Sequence, residues 1–135
     1  MLTLAIIKPD AVAARHTGKI IAHLEAEGFR IREAQMVQLS QVRAESFYEV
    51  HKERPFYRSL VSFMTSGPAL AMALEREDAV AHLRKVIGAT DPAQAEPGTI
   101  RKLYAQSKEK NAFHASDSPD NAAREVAFFF PAQSR

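Results

Sequence analysis

Residues 2–8 read Leu2-Thr3-Leu4-Ala5-Ile6-Ile7-Lys8, an apolar and partly β-branched run that Pro9 closes. Its length and its proline boundary predict a buried strand with Lys8 at the exit. Downstream the period changes. Ile20, Ile21, Leu24 and then Phe29 recur at helical spacing behind Thr17, a candidate N-cap, and Gly28 closes that segment. Residues 29–39 alternate at first, with Phe29, Ile31 and Glu33 on one face, and then slip, which predicts a strand with an irregularity. Ser40 opens a helical stretch through Val42, Phe47, Tyr48 and His51, and Arg54-Pro55 breaks it. Pro55 suits the first position of the next helix, whose apolar stripe is Phe56, Leu60, Val61, Phe63 and Met64. After the turn Ser66-Gly67-Pro68, the apolar run Ala69 to Leu74 is short and flanked as a strand is.

Asp78 to Ile87 is helical in pattern and ends at Gly88. Residues 88–98 hold two prolines and two glycines and form a loop, and an irregular segment this long in a small domain usually serves function. Asn111 to Ser118 is a short segment with His114 at its middle; Ser118-Pro119-Asp120 then starts a last helix with Ala123, Val126, Ala127 and Phe130 inward, and residues 131–135 are a tail. The order β-α-β-α-α-β-α-loop-β-α reduces to βαββαβ. That predicts an α+β, ferredoxin-like fold: a four-stranded antiparallel sheet with additional helices and a long irregular loop, in one domain over residues 1–135. Such a sheet hosts many functions, so chemistry has to come from side chains.

Composition removes several classes. With no cysteine there is neither a disulfide framework nor a thiolate nucleophile or ligand. The opening residues lack the charged lead-in and cleavage site of a secretory leader, and no run nears the ~20 apolar residues of a membrane span. A cytoplasmic protein without membrane contact is the expectation. A net charge of +2 is too mild to imply nucleic-acid binding and suits a small anion held by a few placed cations. An RNA-binding sheet would need aromatics at alternating strand positions, where this chain offers Leu4, Ile6 and Ile31. Thr17-Gly18-Lys19 is followed by Ile20 rather than Ser or Thr, so it is no P-loop.

Among five histidines, His114 stands out in Asn111-Ala112-Phe113-His114-Ala115-Ser116-Asp117-Ser118, surrounded by short polar residues that can orient a ligand. Near neutral pH an imidazole is largely uncharged and can act as a nucleophile. A phosphoryl donor would need separate cations converging from different elements, and Lys8, Arg84 and Arg101 are candidates. Gly98-Thr99-Ile100 leads into Arg101 as a loop leads into a helix N-terminus, a ready anion site. Each of these residues alone reads equally well as a solvated charge or a packing residue.

Together, six segments in order carry a resemblance: Ile6-Ile7-Lys8-Pro9-Asp10-Ala11-Val12, His51 to Tyr57, Phe63 to Pro68, Gly88 to Pro92, Pro97 to Arg101 and Asn111 to Ser118. The chain resembles nucleoside diphosphate kinases along nearly its whole length. The resemblance implies a ping-pong reaction in which a nucleoside triphosphate, typically ATP, gives its γ-phosphoryl group to His114 and a nucleoside diphosphate takes it. It implies that Lys8 meets phosphate oxygens and the ribose hydroxyl, that Arg84, Thr90 and Arg101 hold phosphates, and that Asn111 bonds the sugar. Phe56 would stack on the base beside Leu60, although pattern alone reads Phe56 as core. Glu125 would accept a hydrogen bond from the histidine's second ring nitrogen, with Tyr48, His51 and Ser116 lining the site. Mg²⁺ would travel with the nucleotide phosphates, touched at most through water by Asp117. The family also implies a homo-oligomer, and Pro97, stiffening the loop, favours a hexamer over a tetramer. A weakly catalytic, nucleotide-binding or regulatory member of the family is the alternative; loss of the histidine would signal it, and His114 is present. The chain departs from the family at Lys102-Leu103-Tyr104, at Ala115 where glycine is common, and at Asp91.

Overall fold

The computed structural model describes residues 1–134. The strands are β1 (Leu2–Ile7), β2 (Arg30–Val37), β3 (Ala69–Glu75) and β4 (Phe113–Ala115), all antiparallel in the order β2-β3-β1-β4. β1 pairs with β3 from Leu2↔Glu75 to Ile7↔Leu70. These two strands are buried almost end to end because helices cover both faces of the sheet. That is why they read as unbroken apolar runs rather than as alternation.

On one face Ala5, Ile7, Met72 and Leu74 meet Ile20 and Leu24 of α2 (Thr17–Ala26) and Leu83 and Val86 of α5 (Ala79–Ile87). On the other, Leu4, Ile6, Ala71 and Ala73 meet Phe47 of α3 (Gln41–Phe47), Met64 of α4 (Tyr57–Met64), and Val126 and Phe129 of α7 (Pro119–Phe129). Each large aliphatic side chain fully buried in these layers contributes about 1.5–3 kcal/mol. The expected βαββαβ frame is therefore β1-α2-β2-β3-α5-β4, with α3 and α4 inserted before β3 and α7 appended. Two short helices complete it, α1 (Pro9–Ala13) and α6 (Ile100–Tyr104).

Local signals explain most boundaries. Ser40 and Ser118 cap α3 and α7, accepting from the backbone N–H of Arg43 at 3.2 Å and of Asn121 at 3.1 Å. The irregularity expected in β2 is a register shift between Ile31 and Glu33. Gly88 closes α5 at φ 85°, and a Cβ there would lie 2.6 Å from Thr99 Oγ1, so only glycine lets residues 88–99 fold back on the helix end.

Several expectations need correction. Thr17 is the first residue of α2, not its cap; His16 holds the cap position without a side-chain bond. Pro9 does more than end β1: it opens α1, where its missing N–H costs nothing. Pro55 lies two residues ahead of α4, and Phe56 takes the cap position. Val42 is 74% exposed, because the short α3 turns Ala44 and Phe47 inward instead. In α7 Val126 is buried as expected, and so is Phe130 just after it, but Ala122 turns inward in place of the exposed Ala123, with Glu125 and Phe129 beside it, and Ala127 is only half-buried. The tail forms a turn of 3₁₀-helix over Pro131–Ser134, with Gln133 Nε2 donating to Glu33 Oε1 at 3.2 Å, while Arg135 lies outside the described residues. Among the described residues no helix is long and apolar enough to cross a membrane.

Candidate active site

His114 sits on β4, at the edge of the sheet, paired with Ile6. Its neighbours Phe113 and Ala115 belong to the α2/α5 core, so strand alternation turns His114 to the α3/α7 face. There its Nε2 lies 2.7 Å from Glu125 Oε1 of α7, and the Phe47 ring stands edge-on at 5.4 Å. Glu125 is 6% exposed and also accepts from Ser116 Oγ at 2.9 Å. Burial alone would raise its carboxyl, but the hydrogen bond and charge of His114, with Ser116 and Arg124, outweigh it and hold Glu125 below the usual range. An ionised carboxylate only accepts, so Nε2 carries the proton and donates it to Glu125, which leaves the lone pair on Nδ1. Ser116 does not line the cleft, as expected for it, but lies fully buried behind Glu125, taking the Leu4 N–H at 3.3 Å and anchoring the carboxylate to β1.

The cleft in front of His114 encloses about 550 Å³. Lys8, Tyr48, His51, Phe56, Leu60, Arg84, Thr90, Arg101, Asn111, Asp117 and Glu125 share its wall with His114. They come from the ends of β1, α3 and α5, from α4, α6 and α7, and from the loops beside β4. Lys8 and Arg101 are 6% and 7% exposed, cations held out of water. Burial, and then Arg101, lowers the Lys8 ammonium to about 8; burial, and then Arg84, lowers Arg101 to about 10. Lys8 Nζ donates to Asn111 Oδ1 at 2.8 Å, and Asn111 Nδ2 to the Lys108 carbonyl at 2.9 Å. Arg101 spends two donors on the Gly88 and Phe113 carbonyls, at 3.2 and 2.8 Å. Arg101 Nε and the Tyr48 hydroxyl are buried without a hydrogen-bond partner among the described residues, and such donors normally find one. Burial, and then Glu125, raises Tyr48, so its phenol stays protonated. Desolvation lowers His51. The hydrogen bond from Asn121, at 2.6 Å, leads the causes that lower Asp117.

Phe56 is 49% exposed with its ring 5.6 Å from His51, so it is a wall of the cleft and not a core residue as its spacing suggested. Sequence reasoning missed Val50, Ser59, Lys108, Glu109 and Asn121 on the same wall. Only the run of charges from Lys108 to Lys110 was a signal for any of them. Tyr104, at the departure Lys102-Leu103-Tyr104, meets the His16 ring at a tilt, 4.9 Å away, and packs against the α2/α5 core. Ala115 sits within β4; the left-handed residue of this segment is Ala112, at φ 72°. A more open groove of about 810 Å³, between α1 and α4, brings neither histidine nor arginine to its wall.

If Glu125 fixes the ring, Glu125→Ala lowers kcat about tenfold to a hundredfold, the usual cost of removing the orienting partner of a working histidine. The pH–rate profile shifts with it while the thermal midpoint moves little. An unchanged rate and profile would leave Glu125 with a structural role only.

A histidine sharing a cleft with buried cations and an exposed aromatic wall is an arrangement that suits phosphoryl transfer on a nucleotide. The comparisons agree. The family model described as "Nucleoside diphosphate kinase" matches residues 2–134. A nucleoside diphosphate kinase of a Nitratiruptor species is 58% identical over 95% of this chain and 93% of its own length. That of Dechloromonas aromatica is 55% identical over 96% and 91%. Among solved structures, the nucleoside diphosphate kinase of Aquifex aeolicus superposes with a TM-score of 0.94 at 45% identity, covering 96% of this chain and 94% of that one. The halophilic enzyme of Halobacterium salinarum, solved in complex with CDP, gives 0.92 at 38%, covering 96% and 87%. The chain belongs to the nucleoside diphosphate kinase family.

Proposed function

We propose that His114 Nδ1 carries the phosphoryl group between two nucleotides in this cleft. Family membership establishes the activity, transfer of a phosphoryl group from a nucleoside triphosphate to a nucleoside diphosphate. The observation that supports the residue assignment is the Nε2–Glu125 bond of 2.7 Å, which leaves Nδ1 as the ring's lone pair in a cleft lined by Lys8, Arg84 and Arg101.

In the first half-reaction the Nδ1 lone pair attacks the γ-phosphorus. The bond to the β–γ bridging oxygen breaks, and a nucleoside diphosphate leaves with that electron pair. The ring becomes a cationic phosphohistidine, its charge offset by Glu125. In the second half an oxygen of the acceptor's terminal phosphate attacks the same phosphorus, the N–P bond breaks and the electron pair returns to Nδ1. Leaving product and acceptor are chemically alike, so one cleft serves both halves. Lys8, Arg84 and Arg101 offset phosphate charge in surroundings where burial strengthens them. The free donors of Tyr48 and Arg101 are ready for phosphate oxygens, Thr90 and Asn111 for phosphate and sugar. Phe56 and Leu60 offer an apolar face that any base can stack on.

Family members require a divalent cation, and we assign Mg²⁺. Among the described residues no group of three or more His, Cys, Asp or Glu converges to hold a metal, so the residues fit an ion that arrives on the nucleotide, with the ionised Asp117 near enough to act through water. When bound, the ion supplies charge compensation on the phosphates. The same proposal covers one domain over residues 1–135, a cytoplasmic location, and a homo-oligomer, hexameric rather than tetrameric.

Initial rates measured over a grid of nucleoside triphosphate and diphosphate concentrations test the covalent route. Parallel double-reciprocal lines are expected. Lines that intersect would mean direct transfer in a ternary complex.

A further inference from the structure

Asp10 lies in the first turn of α1, where a carboxylate needs no explanation beyond the helix dipole. Its contact is elsewhere. Asp10 Oδ2 accepts the backbone N–H of Ala112 at 3.1 Å, from a residue 102 positions away in the chain. Ala112 is fully buried at φ 72°. The Phe113 N–H donates to the Asn111 carbonyl at 2.8 Å, across Ala112. An i→i+2 bond around a positive-φ residue is the rare, strained form of γ-turn, and an alanine adopts it only where surrounding groups over-determine it. The turn is tied to β1 as well, because the Ala112 carbonyl accepts the Lys8 N–H at 2.9 Å. On one side of it stands Asn111, bonded to Lys8 Nζ at 2.8 Å; on the other, β4 begins and carries His114.

We propose that Asp10 is a positioning residue for phosphoryl transfer. Its carboxylate holds the strained turn at Ala112, and the turn sets Asn111 and Lys8 for the nucleotide. His114 depends on it less, being held independently by its pairing with Ile6 and by Glu125. The proposal rests on the reading of this cleft as the nucleotide site.

The test separates nucleotide-dependent from nucleotide-independent phosphorylation of His114. Phosphoramidate, a small P–N phosphoryl donor, loads a reactive imidazole without any base or sugar. In Asp10→Ala the strained turn loses the bond that holds it and relaxes, and kcat/KM for ATP falls about 10–100-fold, mostly through KM. Loading by phosphoramidate changes by no more than about threefold, because the histidine's own tethers are untouched. Asp10→Asn keeps an acceptor oxygen and stays within about threefold of the parent for ATP. Ala112→Gly removes the φ penalty, so the double variant Asp10→Ala/Ala112→Gly recovers most of the loss.

Equal loss with both donors, no loss with either, or Asp10→Asn behaving as Asp10→Ala would overturn the proposal; the last would make charge, not the turn, the contribution. Should Asp10→Ala not fold, Asp10→Asn and the double variant decide it. Turnover by the parent, and its absence in His114→Ala, are scored separately and report only on the site reading.

Discussion

An enzyme carrying His114→Ala is expected to lose turnover by at least about 10⁴-fold while its fold persists, because a covalent route ends when its nucleophile is removed. Among the described residues the side chain makes one hydrogen bond, to Glu125, and ring contacts with Phe47 and Tyr48. Its loss therefore leaves Glu125 with Ser116 as a remaining donor. Far-ultraviolet circular dichroism and the thermal midpoint should stay near those of the parent. Glutamine at 114 tests the chemistry further: it restores polarity and volume but offers no ring nitrogen. The account requires it to be as inactive as alanine. Substantial transfer by either variant would move the reaction to another group.

The second large effect falls on the buried cations. Lys8→Ala or Arg101→Ala should each lower kcat/KM by about 10²–10³, the usual cost of removing a donor aimed at developing charge in a site screened from water. The two losses differ in kind. Arg101 also ties the Gly88 and Phe113 carbonyls, so its removal loosens the 88–99 segment and β4 and lowers stability as well. Among the described residues the Lys8 side chain hydrogen-bonds only Asn111, so its effect is mainly on catalysis. Lys8 also sets a pH limb. With burial, then Arg101, bringing its ammonium to about 8, the free enzyme loses that charge as pH rises through about 8, and kcat/KM for a nucleoside triphosphate declines there. Lys8→Arg keeps the charge at higher pH and should flatten the limb. A limb near pH 8 that survives in Lys8→Arg would assign it to a different group.

The sheet was readable from the sequence because strands buried on both faces announce themselves as apolar runs with turn residues at each end. β1 and β3 are of this kind. The slip in residues 29–39 was readable as well, and became the register shift beside Ile31. Short helices were not. α1 and α6 have five residues each, fewer than two turns, so no period can establish itself. The misplacement of Ala123 in α7 has a related cause: adjacent alanines leave Ala122 and Ala123 equivalent to any hydrophobic count.

The site divided along similar lines. His114 could be singled out from its polar neighbours alone, while the roles of Lys8, Arg84 and Arg101 rested on the family resemblance, since one lysine or arginine carries no sign of where it points. Phe56 misled because its spacing fits the α4 stripe, and only the cap position at the start of that helix turns its ring toward His51. Ser116 misled in the opposite sense: polarity suggested the cleft, whereas it lies fully buried behind Glu125, its hydroxyl bonded to that carboxylate and to the Leu4 N–H. The strain at Ala112 could not be read at all, because an alanine gives no signal of positive φ as a glycine or asparagine would, and the carboxylate that holds it lies at the far end of the chain.

The central claim is that the phosphoryl group rests on Nδ1 of His114 between the two nucleotides. Loading the enzyme with a nucleoside triphosphate, stripping it of nucleotide and recording its phosphorus resonance, before and after adding a nucleoside diphosphate, addresses it most directly. The account predicts one N-linked, acid-labile phosphate on the Nδ1 position of His114, which disappears as new triphosphate forms. A phosphate on a different side chain, or full nucleotide turnover with no loaded enzyme at any stage, would contradict it.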